Sequence, residues 1–197
     1  MTEVINLLFA GVGGQGSLLI AELTTLAASH AGHDVKQTEV HGVSQRGGSV
    51  ETHVRYGEKI HSPVVTPGEA NVVIGLEKLE ALRFAHFVDP DQGVIIINDF
   101  EIIPGSISNA QEIYPYQAVE FLSEKELPIS VIPASRIAHE LGDVRMTNVV
   151  MLGALSRYIQ IPEDSWQHAL QVRLPERYLD ANRRAFEAGK ELIQRNN

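Results

Sequence analysis

The chain has 197 residues, of which 44% are hydrophobic and 21% charged, with a net charge of −9 and no cysteine. This is the composition of a folded globular protein, and its acidity argues against nucleic acid or an anionic membrane as a partner, since phosphate binding needs a basic footprint. Without thiolates it cannot ligate an iron–sulfur cluster or run thiol catalysis; lacking any run of about 18 apolar residues or a basic leader, it reads as cytoplasmic.

Residues 4–10 form an apolar run interrupted by Asn6, the pattern of a central parallel strand covered on both faces. The run enters a turn in which Gly11, Gly13 and Gly16 fall on G-x-G-x-x-G, with Gly14 and Gln15 inside it. A helix over 17–29 follows, which Gly32 is placed to end. One glycine allows the sharp turn, one lets backbone N–H groups approach a ligand, and one lets helix and strand pack closely. An anion would then meet the positive end of the helix dipole. A dinucleotide would also need an acid at the end of the second strand, predicted over 35–40, and Glu39 is the nearest candidate.

Residues 41–49, HGVSQRGGS, are too rich in glycine for helix or strand. Within them Arg46, flanked by Gly47 and Gly48, can offer a guanidinium fork to a phosphate or carboxylate; the plainer reading is a solvated loop arginine. Alternation over 49–56 predicts a strand with one wet face carrying Glu51, His53 and Arg55. After a turn at 57–59 come a strand over 71–75, a helix over 77–87 and a buried strand over 94–97 ended by Asn98. Residues 103–114 read as irregular or a short edge strand, 115–125 as helix and 129–132 as the last strand. Residues 146–159 are apolar nearly all round, which predicts a helix buried between layers or under a second subunit, and hence an oligomer. Asn148, at its start, can contact a ligand or satisfy backbone. Pro162 and Pro175 suit the first turns of two closing helices.

Strands alternating with helices predict an α/β fold, a three-layer Rossmann-like arrangement on a mainly parallel sheet. It forms a single domain over 1–197, with extra C-terminal helices from about 145 packed on it. Both glycine loops follow strands that are read as parallel and so share the rim where such sheets bind ligands. The candidate binding residues are Gly11, Gly13, Gly14, Gln15, Gly16, Arg46, Gly47, Gly48 and Asn148. No catalytic set assembles. The eight histidines lack zinc-ligand spacing, Ser17 lacks the Gly-x-Ser-x-Gly elbow, and the first loop lacks a Gly-Lys-Ser/Thr ending.

The opening GVGGQG, then HGVSQRGGSV over 41–50, VIGLE over 73–77, TNVVMLGA over 147–154, and Asn182, Ala185, Phe186 and Gly189 near the end together resemble the gamma-type domain of 2-oxoacid:ferredoxin oxidoreductases. The second stretch is most similar to the small (beta) subunit of the indolepyruvate enzyme, with Val43 where relatives often carry methionine. The resemblance implies a complex that oxidatively decarboxylates an aryl 2-oxoacid with coenzyme A, giving an acyl-CoA and reduced ferredoxin. Thiamine diphosphate and the iron–sulfur clusters would belong to the large partner subunit, in keeping with the missing cysteines and the lack here of a Gly-Asp-Gly…Asn motif. The small subunit, inactive alone, would complete the assembly and shape the acyl-acceptor side, with coenzyme A as its candidate ligand. Two alternatives stand beside this: a stand-alone nucleotide-binding dehydrogenase, which would need a hydride-transfer site and a firm ribose acid, and a scaffold subunit with a vestigial glycine loop.

Overall fold

The computed structural model describes residues 4–41, 48–103, 115, 117–125 and 127–193. In chain order the elements are β1 (Ile5–Val12), α1 (Ser17–His30), β2 (Asp34–His41), β3 (Ser49–Gly57), β4 (Val72–Gly75), α2 (Lys78–Phe84) and β5 (Val94–Asn98). They continue as α3 (Ala118–Glu124), β6 (Ile129–Ile132), α4 (Ala134–Glu140), α5 (Thr147–Leu155), α6 (Glu163–Arg173) and α7 (Glu176–Leu192). One six-stranded sheet has the order β2-β3-β1-β4-β5-β6.

The fold is the expected α/β arrangement, and β1 shows why. Leu7, Leu8, Phe9 and Ala10 are all buried. Leu7 and Phe9 pack with α1 and the C-terminal helices, whereas Leu8 and Ala10 pack with α2, so successive side chains feed opposite layers. Pairing of β1 with β4, β4 with β5 and β5 with β6 is parallel. The remaining two pairings are antiparallel, because β3 runs backwards between β1 and β2. Five strands therefore point one way and one the other.

The face of β3 expected to be wet is largely covered. His53 is 1% exposed. The segment leading from β3 to β4 lies across it: Val65 N–H donates to His53 Nδ1 at 3.2 Å, and Arg55 donates to the carbonyls of Ser62 and Val64 at 3.0 and 3.2 Å. Arg55 Nε also donates to Asn6 Oδ1 at 2.8 Å, tying this segment to β1. Alternation in a strand reports on its own residues and not on a later segment that crosses them.

Several helices depart from the expected bounds. α2 ends at Phe84 and passes into a 3-10 turn over Ala85–Phe87. The helix read over 115–125 covers Ala118–Glu124, and that read over 146–159 covers Thr147–Leu155 after a 3-10 turn at Val144–Met146. α4, only seven residues long, has no counterpart in the sequence reading. Of the stretch read as irregular, 104–114 lies outside the described residues.

α5 is the apolar helix that suggested a second subunit. Its own chain covers it: Val150, Met151, Leu152, Ala154 and Leu155 are fully buried, packed among α1, α4 and α7. Its burial therefore gives no reason for a dimer. What permits it is glycine on both helices. A β-carbon on Gly153 would run into the Phe186 carbonyl oxygen, and one on Gly189 into that of Val150. Gly153→Ala must push the helices apart and should destabilise the protein by about 3 kcal/mol, an overpacking cost against backbone that cannot move aside. Denaturant unfolding measures it, and a change within 0.5 kcal/mol, about the scatter of neutral surface substitutions, would contradict the packing argument.

Burial holds the His53 pKa below its ordinary 6.5, with Glu51, 3.6 Å away, offsetting this in part. His53 stays neutral, with its proton on Nε2 because Nδ1 accepts from Val65. A pKa depressed in the folded state means that the unfolded chain takes up the proton first. Stability should thus be full above about pH 6.5 and fall as pH drops through the lowered folded value. Unfolding midpoints of wild type and His53→Gln between pH 7.5 and 5 should converge as pH falls; parallel profiles would sink the assignment.

Candidate functional site

The first glycine loop and the described ends of the second, His41 and Gly48, lie at the carboxyl edge of the sheet. Gly11 closes β1 opposite Val50, and Gly13 N–H donates to Gly48 O at 2.8 Å. The shared edge was expected from consecutive parallel strands, and the reason differs. β2 is not a neighbour of β1; it points the same way because the antiparallel β3 separates them. Arg46 and Gly47 lie outside the described residues.

The first loop turns through left-handed backbone at Gly14 (φ 103°) and Gly16 (φ 86°). Gly16 caps α1, and no side chain accepts a hydrogen bond there. The first N–H groups of α1 have no intrahelical partners by geometry, so they and the helix dipole are available to an anion. Gln15 works inward instead. Its Oε1 accepts from Val12 N–H at 2.7 Å and its Nε2 donates to Leu76 O at 3.2 Å, stitching the turn to the end of β4.

Asn148, in the first turn of α5, comes up against this loop. A β-carbon at Gly16 would lie 2.5 Å from Asn148 Nδ2. Asn148 is 6% exposed, and its buried Oδ1 has no hydrogen-bond partner among the described residues. Between loop and helix opens a cleft of about 440 Å³. Its apolar walls are Leu19, Leu76, Phe100 and Val144; Ser135, Thr147 and Asn148 supply polar groups. A neighbouring hollow lined by Tyr178 and Asn182 shares Leu19, Arg145 and Asn148 with it.

Sequence reasoning missed the far wall. Asn98, fully buried at the end of β5, donates to Leu76 O at 3.0 Å and to Ser135 Oγ at 2.8 Å, and accepts from Ser135 N–H at 3.1 Å. With its oxygen already accepting from Asn98, the Ser135 hydroxyl keeps its own proton to donate. A polar residue closing a buried parallel strand sits where such sheets bind ligands, and that signal could have flagged Asn98.

The cations near the cleft are already matched. Arg145 is held by Asp143, with Nε and a terminal nitrogen 2.9 and 2.6 Å from Oδ2. This keeps the Asp143 carboxyl below the usual carboxylate range. Lys78 bridges Asp99 at 2.7 Å and Glu101 at 3.0 Å; these hydrogen bonds, Asp99 first, hold its ammonium above the usual lysine value. Among the described residues, the fixed feature that favours an anion is therefore the α1 N-terminus. Glu39 pairs with Thr52 on β3, which stands between it and β1, so it lies two strand spacings, about 10 Å, from β1, one strand farther than a ribose-binding acid on the neighbouring strand would be. No group of three or more His, Asp or Glu is gathered among the described residues as a metal site would require, and no helix among them is long and apolar enough to cross a membrane.

Residues 6–192 match the family model described as pyruvate ferredoxin/flavodoxin oxidoreductase. The chain is 38% identical over 190 residues to indolepyruvate oxidoreductase subunit IorB of Archaeoglobus fulgidus, covering 94% of this chain and 93% of that one. It is 36% identical over 189 residues to the same-named subunit of Thermococcus kodakarensis, covering 93% of each. Among solved structures, 2-oxoglutarate:ferredoxin oxidoreductase from Magnetococcus marinus, described with 2-oxoglutarate, coenzyme A and succinyl-CoA bound, shares the fold. The TM-score is 0.74 at 22% identity, over 98% of this chain and 31% of that longer one.

Gln15→Leu keeps the side-chain volume but removes both stitching hydrogen bonds. Amide exchange at Val12, whose N–H the Gln15 side chain accepts, should then quicken about tenfold, as for loss of about 1.4 kcal/mol of local protection. Unchanged exchange there would show that the turn holds without its glutamine.

Proposed function

The chain belongs to the pyruvate ferredoxin/flavodoxin oxidoreductase family, and from that premise we propose that it is the small subunit of an indolepyruvate-type 2-oxoacid:ferredoxin oxidoreductase, with its glycine-loop cleft serving the acyl acceptor, coenzyme A. Aryl 2-oxoacid as substrate class is supported by the identity to the two indolepyruvate subunits. The reaction of such a complex is oxidative decarboxylation to an acyl-CoA with reduction of ferredoxin.

Thiamine diphosphate and iron–sulfur clusters do not fit this chain, which has no cysteine and no Gly-Asp-Gly…Asn stretch. They belong, in this reading, to a large partner subunit, which also meets ferredoxin; the small chain alone is inactive.

The observation that carries the reading is the uncapped start of α1 beside the partnerless Asn148 Oδ1, in a cleft with apolar walls. Coenzyme A is a polyanion with a flat base and amide groups. Its phosphates suit the N–H groups after Gly16, its N–H donors suit Asn148, and the Ser135 hydroxyl can donate to its oxygens. The whole chain is acidic, so attraction must be local: Gly14 and Gly16 let the backbone N–H groups at the start of α1 come close, and Arg46, from the glycine-rich stretch 41–49, is the sequence candidate for an added guanidinium. This chain binds and orients; bond making is the partner's. A coenzyme A-bound relative of the same fold adds support. The dehydrogenase alternative loses ground because Glu39 is a strand too far away.

In a complex reconstituted with the large subunit, Arg46→Ala and Asn148→Ala should each raise KM for coenzyme A about tenfold, the loss of one hydrogen bond to a charged or buried group. KM for indolepyruvate should stay within about twofold. Unchanged constants for both variants would leave the scaffold role.

A further inference from the structure

α5 starts at the cleft and, at nine residues, carries the chain about 13 Å to the opposite edge of the sheet. There the turn after it, with Tyr158 and Ile159, faces Ile5, Val72 and Val94 at the starts of their strands. Where this turn meets the start of α6 and the last turns of α7 lies a cavity of about 410 Å³, lined among others by Arg157, Gln160, Glu163, Trp166 and Lys190.

Two donors there are without acceptors. Arg157 Nε and Trp166 Nε1 are buried nitrogens with no hydrogen-bond partner among the described residues, and Trp166 is 1% exposed. The other charges are accounted for. Lys190 Nζ lies 2.8 Å from Glu163 and 3.0 Å from Glu187, and Glu163 also accepts from Gln167 at 3.0 Å. Arg157 enters no ion pair among the described residues. A buried donor without an acceptor is costly, and more so when it belongs to a cation. Arg157 and Trp166 both line this polar cavity, and each carries a buried N–H able only to donate.

We propose that this cavity is an oxyanion subsite, remote from the glycine-loop cleft, that takes a small free phosphate- or carboxylate-class anion between Arg157 and Trp166. A donor-only pair with one unmatched positive charge selects an anion over a neutral amide or a cation. A single guanidinium in an acidic protein suits a compact anion rather than a polyanion.

Trp166 is the only tryptophan in the chain, so its emission reports directly on the cavity. Inorganic phosphate is titrated into the whole chain at constant ionic strength held with chloride. A saturable change in tryptophan emission is expected. Arg157→Ala should weaken the apparent phosphate affinity about tenfold or more, whereas Arg184→Ala, an exposed arginine on α7, should leave it unchanged. Trp166→Phe, followed by phosphorus NMR, should weaken binding several-fold through loss of its N–H. If Arg157→Ala fails to fold, Arg157→Lys decides: the charge stays but the Nε donor goes, and affinity should still drop. A response that never saturates, or that both arginine variants share, means an adventitious ion only. If phosphate has no effect while Arg157→Ala loosens association with the large subunit, the guanidinium serves a partner's carboxylate and the proposal is wrong.

Discussion

The geometry at the cleft depends on how closely α5 can approach α7. With glycine facing backbone at both Gly153 and Gly189, α5 beds down without a side chain between the helices. It therefore runs deep enough behind the sheet for its first turn to press Asn148 against Gly16. A longer interhelical distance would swing that first turn outward, and the asparagine would face solvent instead of the glycine loop. Glycine at the loop and glycine at the helix crossing are thus two ends of one constraint, since α1 can receive Asn148 only because Gly16 has no side chain in the way. Trp166, stacked at a tilt on Phe186 with ring centroids 5.8 Å apart, closes the same layer from α6.

What the sequence made legible was local. A strand running into G-x-G-x-x-G and then a helix is a requirement of neighbouring residues on each other, and Gly14 and Gly16 do adopt the left-handed backbone that such a turn needs. The burial of α5 was legible for the same reason, because an apolar surface all round has to be covered by something. Which body covers it is a long-range matter, and α1, α4 and α7 do so without a second copy. Strand order is long-range too. Nothing in residues 35–56 says that β3 will insert between β1 and β2, so the right edge was reached from the wrong topology, and Glu39 looked nearer to the loop than it is. Ser135 and Asn98 are 37 residues apart and become one wall only because β6, which leads into α4, pairs with β5.

Electrostatically the protein sets a local preference against a global one. The acidic chain repels anions at long range, a repulsion that salt screens beyond a Debye length of about 8 Å in physiological conditions. At contact distance, the α1 terminus and the unmatched Arg157 act inside that length. Arg145 and Lys78 contribute little to it, because each is already held by carboxylates from its own neighbourhood. The partition separates cations that fasten the rim from donors left open.

The inserted β3 strand has a consequence for the order in which the molecule can be put together. β2 and β3 form the most local strand pairing of the sheet, across one loop, and β3 then zips onto β1, so three strands and α1 lie within the first 57 residues. Short-range pairings close at low entropic cost, and a growing chain can make them while the rest is still being synthesised. The paired glycine loops belong to that early half. Asn98, Ser135, Asn148 and the helices that seat them arrive last. On a ribosome, therefore, the rim would exist before the cleft, and the subunit would become able to receive its ligand only as the final helices dock.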